Sequence, residues 1–200
     1  MWGNDTMTKE KVLLNVEKLT KVFRISRGVH LKAVDGVNLY VKEGETLGLV
    51  GESGCGKSTL GRCILRLIEP TEGIVEYDGQ AITSMRHKQL RQMRREMQMV
   101  FQNPYSSLNP RMTIMDSVKA PLDVFQVGTP KERIEQVVEM MKIVGLDESY
   151  LYRYPHEFSG GQRQRIVIAR ALMPSPKFLV CDEPVSALDV SVRSQVLNLM

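Results

Sequence analysis

Short apolar runs alternate with amphipathic segments along the 200-residue chain. Runs with the composition of buried strands lie at residues 12–16, 45–50, 74–77, 97–101 and 178–181. Apolar residues recur at helical spacing in residues 57–68, 86–96 and 130–144. This mixture of strands and helices predicts an α/β fold.

The helix at residues 130–144 has the best-defined ends. Thr129 is a good N-cap, Pro130 suits the first helical turn, and Glu132 completes a capping box. Gly145 is a natural residue to end the helix. We therefore expect this element to form with these boundaries.

The helix predicted at residues 86–96 is strongly basic. Leu90 and Met93 form its apolar side, and its cationic residues are Arg86, Lys88, Arg91, Arg94 and Arg95. Such a charge run is typical of a solvated helix face. Contact with a partner or a phosphate is the alternative, and the sequence leaves it open.

The middle of the chain differs from its ends. Residues 103–109 are rich in Pro, Ser and Asn and predict a loop. Residues 103–173 as a whole are rich in helical patterns, which indicates an insertion into a strand–helix core. We predict two parts: a core of residues 1–102 and 174–200, and a helical lobe of residues 103–173.

Composition excludes several classes of protein. With 42% hydrophobic and 25% charged residues, the chain has the balance of a globular domain rather than a disordered one. The cysteines Cys55, Cys63 and Cys181 have neither the number nor the spacing of a disulfide framework or a zinc site. Residues 1–10 are polar and lack the apolar stretch of a signal peptide, and no run is long enough for a membrane helix. A membrane role would therefore depend on partners.

A glycine-rich segment follows the apolar run at residues 45–50. It fits the P-loop pattern G-x-x-x-x-G-K-[ST], with the residues Gly51, Glu52, Ser53, Gly54, Cys55, Gly56, Lys57, Ser58 and Thr59. Glycines let backbone N–H groups turn inward around phosphates, and a helix N-terminus adds positive potential. Lys57 would reach the β- and γ-phosphates, Ser58 would ligate Mg²⁺, and Thr59 would lie close to the phosphates. The alternative is a chance glycine-rich turn.

Two acids follow the apolar run at residues 178–181. This arrangement fits a Walker B strand, at whose end Asp182 would hold Mg²⁺ directly or through water. Glu183 would polarise the attacking water as a general base. A strand that ends in two solvated acids is the alternative.

A third motif lies between the other two. Ser159, Gly160, Gly161 and Gln162 precede a basic helix with an apolar face, and together they resemble the LSGGQ signature of ABC cassettes. Phe158 stands where leucine is commonest in that family, which leaves the polar part of the motif unchanged. Small residues at a helix N-terminus offer N–H groups to an anion. The resemblance implies that this segment binds the γ-phosphate held by a second cassette, in a head-to-tail dimer that encloses two ATP molecules.

The resemblance covers nearly the whole chain and implies further roles. The fold would be a P-loop (RecA-like) core with an antiparallel β subdomain and an inserted α-helical lobe. Gln102 resembles the Q-loop glutamine, which senses Mg²⁺ and the attacking water, and Asp189 belongs to a D-loop at residues 186–189 that crosses the dimer interface. Phe23 stands where the family places an aromatic ring on adenine, although an ordinary core or surface phenylalanine is the alternative. The family's switch histidine is absent, so we expect either a truncated sequence or a chain that does not switch normally.

Two stretches narrow the resemblance within the family. Residues 100–111 and 182–192 are similar to the ATP-binding subunits of dipeptide and oligopeptide importers, a group that also serves nickel and glutathione. The resemblance implies an ATPase bound to permease subunits at the cytoplasmic face of the membrane, supplied indirectly by an extracytoplasmic solute-binding protein, with no nucleic acid partner. Two alternatives remain open: a non-transport ABC ATPase, and a nucleotide-binding scaffold that does not hydrolyse ATP.

Overall fold

The computed structural model describes residues 11–185, 193–194 and 197–198. Its chain divides into two compact units, Met1–Leu90 and Arg91–Met200, and each is described by itself. Among the described residues, no helix is long and apolar enough to cross a membrane.

The first unit contains an antiparallel sheet in the order β2-β1-β3-β4. Its strands are β1 (Val12–Ser26), β2 (Val29–Lys42), β3 (Glu72–Tyr77) and β4 (Gln80–Ala81). Buried Leu14, Val16 and Val75 lie on one face of this sheet, where Val16 pairs with Val75. The strands predicted at residues 12–16 and 74–77 are confirmed, and β1 continues well beyond the predicted end.

Helix α1 (Lys57–Ile64) is shorter than the predicted 57–68. Leu65 is its C-cap and Arg66 has a φ of 48°, a left-handed conformation that ends a right-handed helix. Leu67, one of the apolar residues in the predicted range, lies beyond the end of the helix and is 43% exposed. Helix α2 (His87–Met93) follows, with Leu90 buried as predicted.

The prediction of a strand at residues 45–50 is wrong. This segment has no regular secondary structure, and Val50 is 94% exposed. A parallel strand is stabilised by ladder hydrogen bonds to its neighbours, and no described strand pairs with this segment. Its apolar composition was therefore not sufficient to make it a strand.

A parallel pair of strands and a helical cluster make up the second unit. The strands are β5 (Met97–Val100) and β6 (Phe178–Cys181), both predicted. The helices are α3 (Pro104–Ser107), α4 (Ile114–Phe125), α5 (Pro130–Ile143) and α6 (Gly160–Leu172). Their buried faces form one core that includes Leu122, Met141 and Ile166, each with no exposed surface. The prediction of a loop at residues 103–109 is wrong in part, because residues 104–107 form α3.

The capping box of α5 is confirmed. The Thr129 hydroxyl accepts the backbone N–H of Glu132 at 3.3 Å, and the Glu132 carboxylate accepts the backbone N–H of Thr129 at 2.7 Å. These backbone and side-chain hydrogen bonds from Thr129 lower the pKa of Glu132. Gly145 follows the C-cap Val144 with a φ of 70°, a conformation that suits glycine.

Candidate functional site

The glycine-rich loop at residues 51–59 leads directly into α1. The Lys57 ammonium donates hydrogen bonds to the carbonyl oxygens of Gly51 at 2.8 Å and Glu52 at 2.7 Å. Ser58 and Thr59 are half-buried in the first turn of the helix, while residues 51–55 are exposed. The loop is thus open to solvent and curls around a cation, an arrangement able to receive a polyanion.

Gly56 forms the N-cap of α1 and shows why the motif needs glycine there. Its φ is 100°, a conformation that other residues rarely adopt. A Cβ atom at this position would lie 2.1 Å from the carbonyl oxygen of Ala33 on β2. The glycine therefore allows the loop to pass against the sheet of the first unit.

The second unit brings Gln102 and Glu183 together. β5 and β6 pair in parallel with Val100 opposite Cys181, so both strands end at the same edge. Two residues beyond that pair, Gln102 Nε2 donates a hydrogen bond to Glu183 Oε2 at 2.7 Å. A glutamine and an acid predicted from separate motifs therefore lie in direct contact.

Asp182 lies between the end of β6 and Glu183. Its backbone N–H donates to the Val100 carbonyl at 2.9 Å, which extends the ladder by one residue, and the residue is only 7% exposed. Glu183 is exposed, and its φ of 48° is unusual for a residue other than glycine. The chain thus turns sharply between the two acids, so that one is buried and the other faces solvent.

The signature residues form the N-terminus of α6. The Ser159 hydroxyl accepts the N–H of Gln162 at 3.3 Å, and the Gln162 side chain accepts the N–H of Ser159 at 3.0 Å. Gly160 and Gly161 occupy the first turn between them. The segment therefore has a fixed capping box and no bulky side chain at the helix end, and Phe158 before it is buried against Tyr150.

Tyr105 was missed as a candidate site residue. It lies on α3, just after Gln102, and its ring stacks on the Arg163 guanidinium with a distance of 4.4 Å from Cζ to the ring centroid. Its hydroxyl lies 3.5 Å from the position that a Cβ atom on Gly160 would occupy. The only available signal was Asn103-Pro104, a good N-cap followed by a good first-turn residue, which together favour a short helix.

Phe23 lies on β1, opposite Leu31 on β2, and is half-buried. The ammonium of Lys21 lies 5.0 Å from its ring centroid and donates to the Glu69 carbonyl at 2.7 Å. The ring is thus partly accessible and has a cation beside it. Its predicted contact with adenine stays a prediction.

One predicted site residue lies in a part of the chain that the structure does not describe. Asp189 and the rest of the D-loop at residues 186–189 lie outside the described residues. Within the described part of the chain, no three His, Cys, Asp or Glu side chains form a cluster that could hold a metal ion.

A family of known proteins matches most of the chain. The family described as ABC transporter matches residues 34–186. The chain is 50% identical over 202 residues to the oligopeptide transport ATP-binding protein AppF of Bacillus subtilis, covering 98% of this chain and 61% of AppF. It is 53% identical over 190 residues to the oligopeptide transport ATP-binding protein OppF of the same organism, covering 94% and 62%. The chain therefore spans about three fifths of the length of these relatives.

Solved structures also resemble this chain. A dimeric ATP-binding cassette, MJ0796, in a post-hydrolysis state bound to ADP and Pi, matches with a TM-score of 0.86 and 33% identity. The match covers 94% of this chain and 81% of that one. It confirms the predicted fold class, an α/β P-loop fold with an antiparallel β subdomain and a helical region.

Proposed function

Because the chain belongs to the ABC transporter family, we propose that it binds and hydrolyses ATP as the motor of a peptide importer. The observation that carries the proposal is the 2.7 Å contact between Gln102 and Glu183 beside buried Asp182. Three residues with the chemistry to handle a metal and a water molecule thus occur together where two parallel strands end.

The loop at residues 51–59 would hold the triphosphate. The Lys57 ammonium already lies inside this loop, held by the carbonyls of Gly51 and Glu52. Phosphate oxygens are stronger acceptors than carbonyls, so a bound triphosphate would draw the ammonium to itself. The half-buried Phe23 ring would stack on the adenine.

Magnesium is the metal that this chemistry needs, and the residues present fit it. Ser58, Gln102 and Asp182 offer hydroxyl, amide and carboxylate oxygens, the donors that Mg²⁺ prefers, and phosphates and water would supply the remaining ligands. A site of this kind requires no cluster of protein acids. Bound Mg²⁺ would neutralise charge on the β- and γ-phosphates.

Glu183 would act as the general base. Its carboxylate would take a proton from a water molecule as that water attacks the γ-phosphorus in line with the leaving oxygen. The bond from phosphorus to the β–γ bridging oxygen breaks, and ADP and inorganic phosphate leave. Gln102 would orient the same water, and Lys57 would stabilise the charge that develops on the phosphoryl oxygens.

A second cassette would complete each site. The capped first turn of α6, Ser159–Gln162, would bind the γ-phosphate held by the partner, with Asp189 at the interface. A dimeric arrangement is known for the similar cassette MJ0796. We propose that two such chains, identical or related, close over two ATP molecules in head-to-tail order.

The relatives' names favour peptides as the transported solute. AppF and OppF are oligopeptide transport proteins, and a 50% identical relative from Pseudomonas aeruginosa is the di/tripeptide transport ATP-binding protein DppF. We infer that this chain acts at the cytoplasmic face of the membrane. There its helical lobe, residues 103–173, would contact permease subunits, and an extracytoplasmic binding protein would deliver the peptide.

Reconstitution tests this proposal. The protein in its natural length, with its permease in vesicles, should release phosphate from MgATP faster when a binding protein loaded with di- or oligopeptides is added outside. Stimulation by nickel or glutathione, with none by peptides, would contradict the peptide assignment and leave the motor intact. Absence of ATP hydrolysis under all of these conditions would contradict the motor.

A further inference from the structure

We propose that Tyr105 is a positioning residue that joins the Gln102 segment to the signature turn of α6, so that the two cannot change orientation independently. This inference rests on the proposed function. It assigns a role in hydrolysis to a side chain outside the three motifs.

The Tyr105 ring packs against the first turn of α6. Arg163, on which it stacks, also donates from Nε to the Phe158 carbonyl at 2.9 Å and from Nη2 to the His156 carbonyl at 3.4 Å. One guanidinium thus links the tyrosine to the chain that leads into the signature turn. The tyrosine hydroxyl lies beside Gly160, within that turn.

The segment that carries Tyr105 is itself fixed. The Asn103 side chain accepts the N–H of Tyr105 at 2.8 Å, and the Asn103 carbonyl accepts the hydroxyls of Ser106 at 3.2 Å and Ser107 at 2.8 Å. At its far end, Arg170 of α6 donates to the Ser107 carbonyl. This second anchor is half-buried, and the partial burial lowers the pKa of Arg170.

These contacts form an unbroken path from Glu183 to Gly160. Glu183 bonds to Gln102, Asn103 follows and caps α3, and Tyr105 contacts the first turn of α6. Since α3 is anchored to α6 at both ends, a shift of the signature turn must move Gln102 or break the Tyr105 contact. Binding of a phosphate at the signature turn would therefore alter the position of Gln102 next to the base.

Removal of the ring tests this role. We expect Tyr105→Ala to lower kcat for ATP hydrolysis about fivefold, the effect of losing one exposed cation–π contact, with KM changed less than about twofold. Tyr105→Phe keeps the ring on Arg163 and should recover most of the rate. Tyr152→Ala, at a tyrosine that is 75% exposed, is the control and should leave kcat and the melting temperature unchanged.

The decisive comparison repeats Tyr105→Ala in a Gln102→Ala background. If Tyr105 acts through Gln102, Tyr105→Ala in the Gln102→Ala background should change kcat less than about 1.5-fold. The effects of two substitutions in one path of contacts are not additive. A purely structural role would give the same fold loss in both backgrounds and would overturn the proposal. The proposal would also be overturned if the wild type is active and Tyr105→Ala leaves its kcat unchanged. A wild type without ATPase activity would overturn the proposed function itself, and this inference with it.

Discussion

Gln102 Nε2 donates a 2.7 Å hydrogen bond to Glu183 Oε2, although 81 positions separate the two residues in the sequence. The contact follows from the parallel pairing of Val100 with Cys181, which brings the ends of both strands to one edge. One oxygen of the Glu183 carboxylate is therefore engaged by an amide donor. A water molecule that gives its proton to this oxygen must therefore displace the amide or share the oxygen with it.

We expect Glu183→Gln to abolish hydrolysis while nucleotide binding persists. An amide cannot accept the proton of the attacking water, so the rate of phosphate release should fall by at least about 100-fold. The affinity for MgATP should stay within about threefold, because the base contributes to the reaction and not to holding the phosphates. Size-exclusion chromatography with MgATP should show a dimer of the variant that persists.

Glu139→Gln provides the matched control for that substitution. Glu139 is an exposed acid on α5, outside the proposed site, and its replacement removes the same charge. It should hydrolyse ATP at the wild-type rate. A Glu183→Gln protein with wild-type turnover would remove Glu183 from the role of base.

Gly56→Ala should disrupt the loop and destabilise the protein. The new Cβ would lie 2.1 Å from the Ala33 carbonyl oxygen, and the φ of 100° is strained for alanine. We expect a loss of at least about 3 kcal/mol in unfolding free energy, measured by urea titration, together with loss of nucleotide binding.

Gly28→Ala is the comparison for steric contact. Gly28 has a φ of 79° at the β1–β2 turn, and a Cβ there would meet nothing within 4 Å. It should cost only about 1 kcal/mol from the backbone conformation. Equal costs for the two variants would contradict a role for the Ala33 contact.

The capping box of α5 should make stability depend on acid pH. The bond from Thr129 lowers the pKa of Glu132 below its ordinary value of 4.5 in the folded protein. Since the folded pKa is the lower one, the stabilisation is fully present above about pH 5 and is lost as pH falls through the folded pKa.

Glu132→Gln should therefore be less stable than the wild type at pH 7, and the gap should narrow below pH 4.5. Chemical denaturation across pH 3 to pH 7 measures this, with Glu139→Gln as the control for removing a charge from the same helix. A gap that widened on acidification would contradict the assignment of the shift to the capping hydrogen bond.

The three cysteines should react with alkylating reagents in a fixed order. Cys55 in the glycine-rich loop is exposed, Cys63 has no exposed surface, and burial raises the pKa of Cys181 to about 11. At pH 8 the Cys181 thiolate fraction is then only about 0.1%. Mass spectrometry should show Cys55 modified first, with MgATP slowing that reaction. Fast modification of Cys63 or Cys181 in the folded protein would contradict the described burial.

The sequence was informative where structure depends on neighbouring residues. The capping box of α5 is complete within residues 129–132, so both helix type and boundary could be predicted. By contrast, α4 was missed because it contains Pro121, which hides its helical periodicity. β2 was also missed, although its alternating apolar and polar residues are typical of a half-buried strand.

The features that could not be predicted from the sequence depend on pairing between residues that lie far apart in the chain. The apolar run at residues 45–50 has the composition of a strand, but composition does not tell which neighbour would supply its hydrogen bonds. Gln102 and Glu183 could be named from the order of motifs, whereas their contact depends on the register of β5 and β6. Tyr105 belongs to none of the three motifs, and only its contact with Arg163 of α6 distinguishes it.

The central claim is that the loop around Lys57 holds a triphosphate while Asp182 and Glu183 manage its metal and water. The most direct measurement is a crystal structure of the Glu183→Gln protein, in its natural length, grown with MgATP. We expect the triphosphate inside the loop with the Lys57 ammonium on its β- and γ-phosphates, and Mg²⁺ between the Ser58 hydroxyl and the Asp182 carboxylate. Nucleotide bound elsewhere with that loop empty, or Asp182 far from the metal, would contradict it.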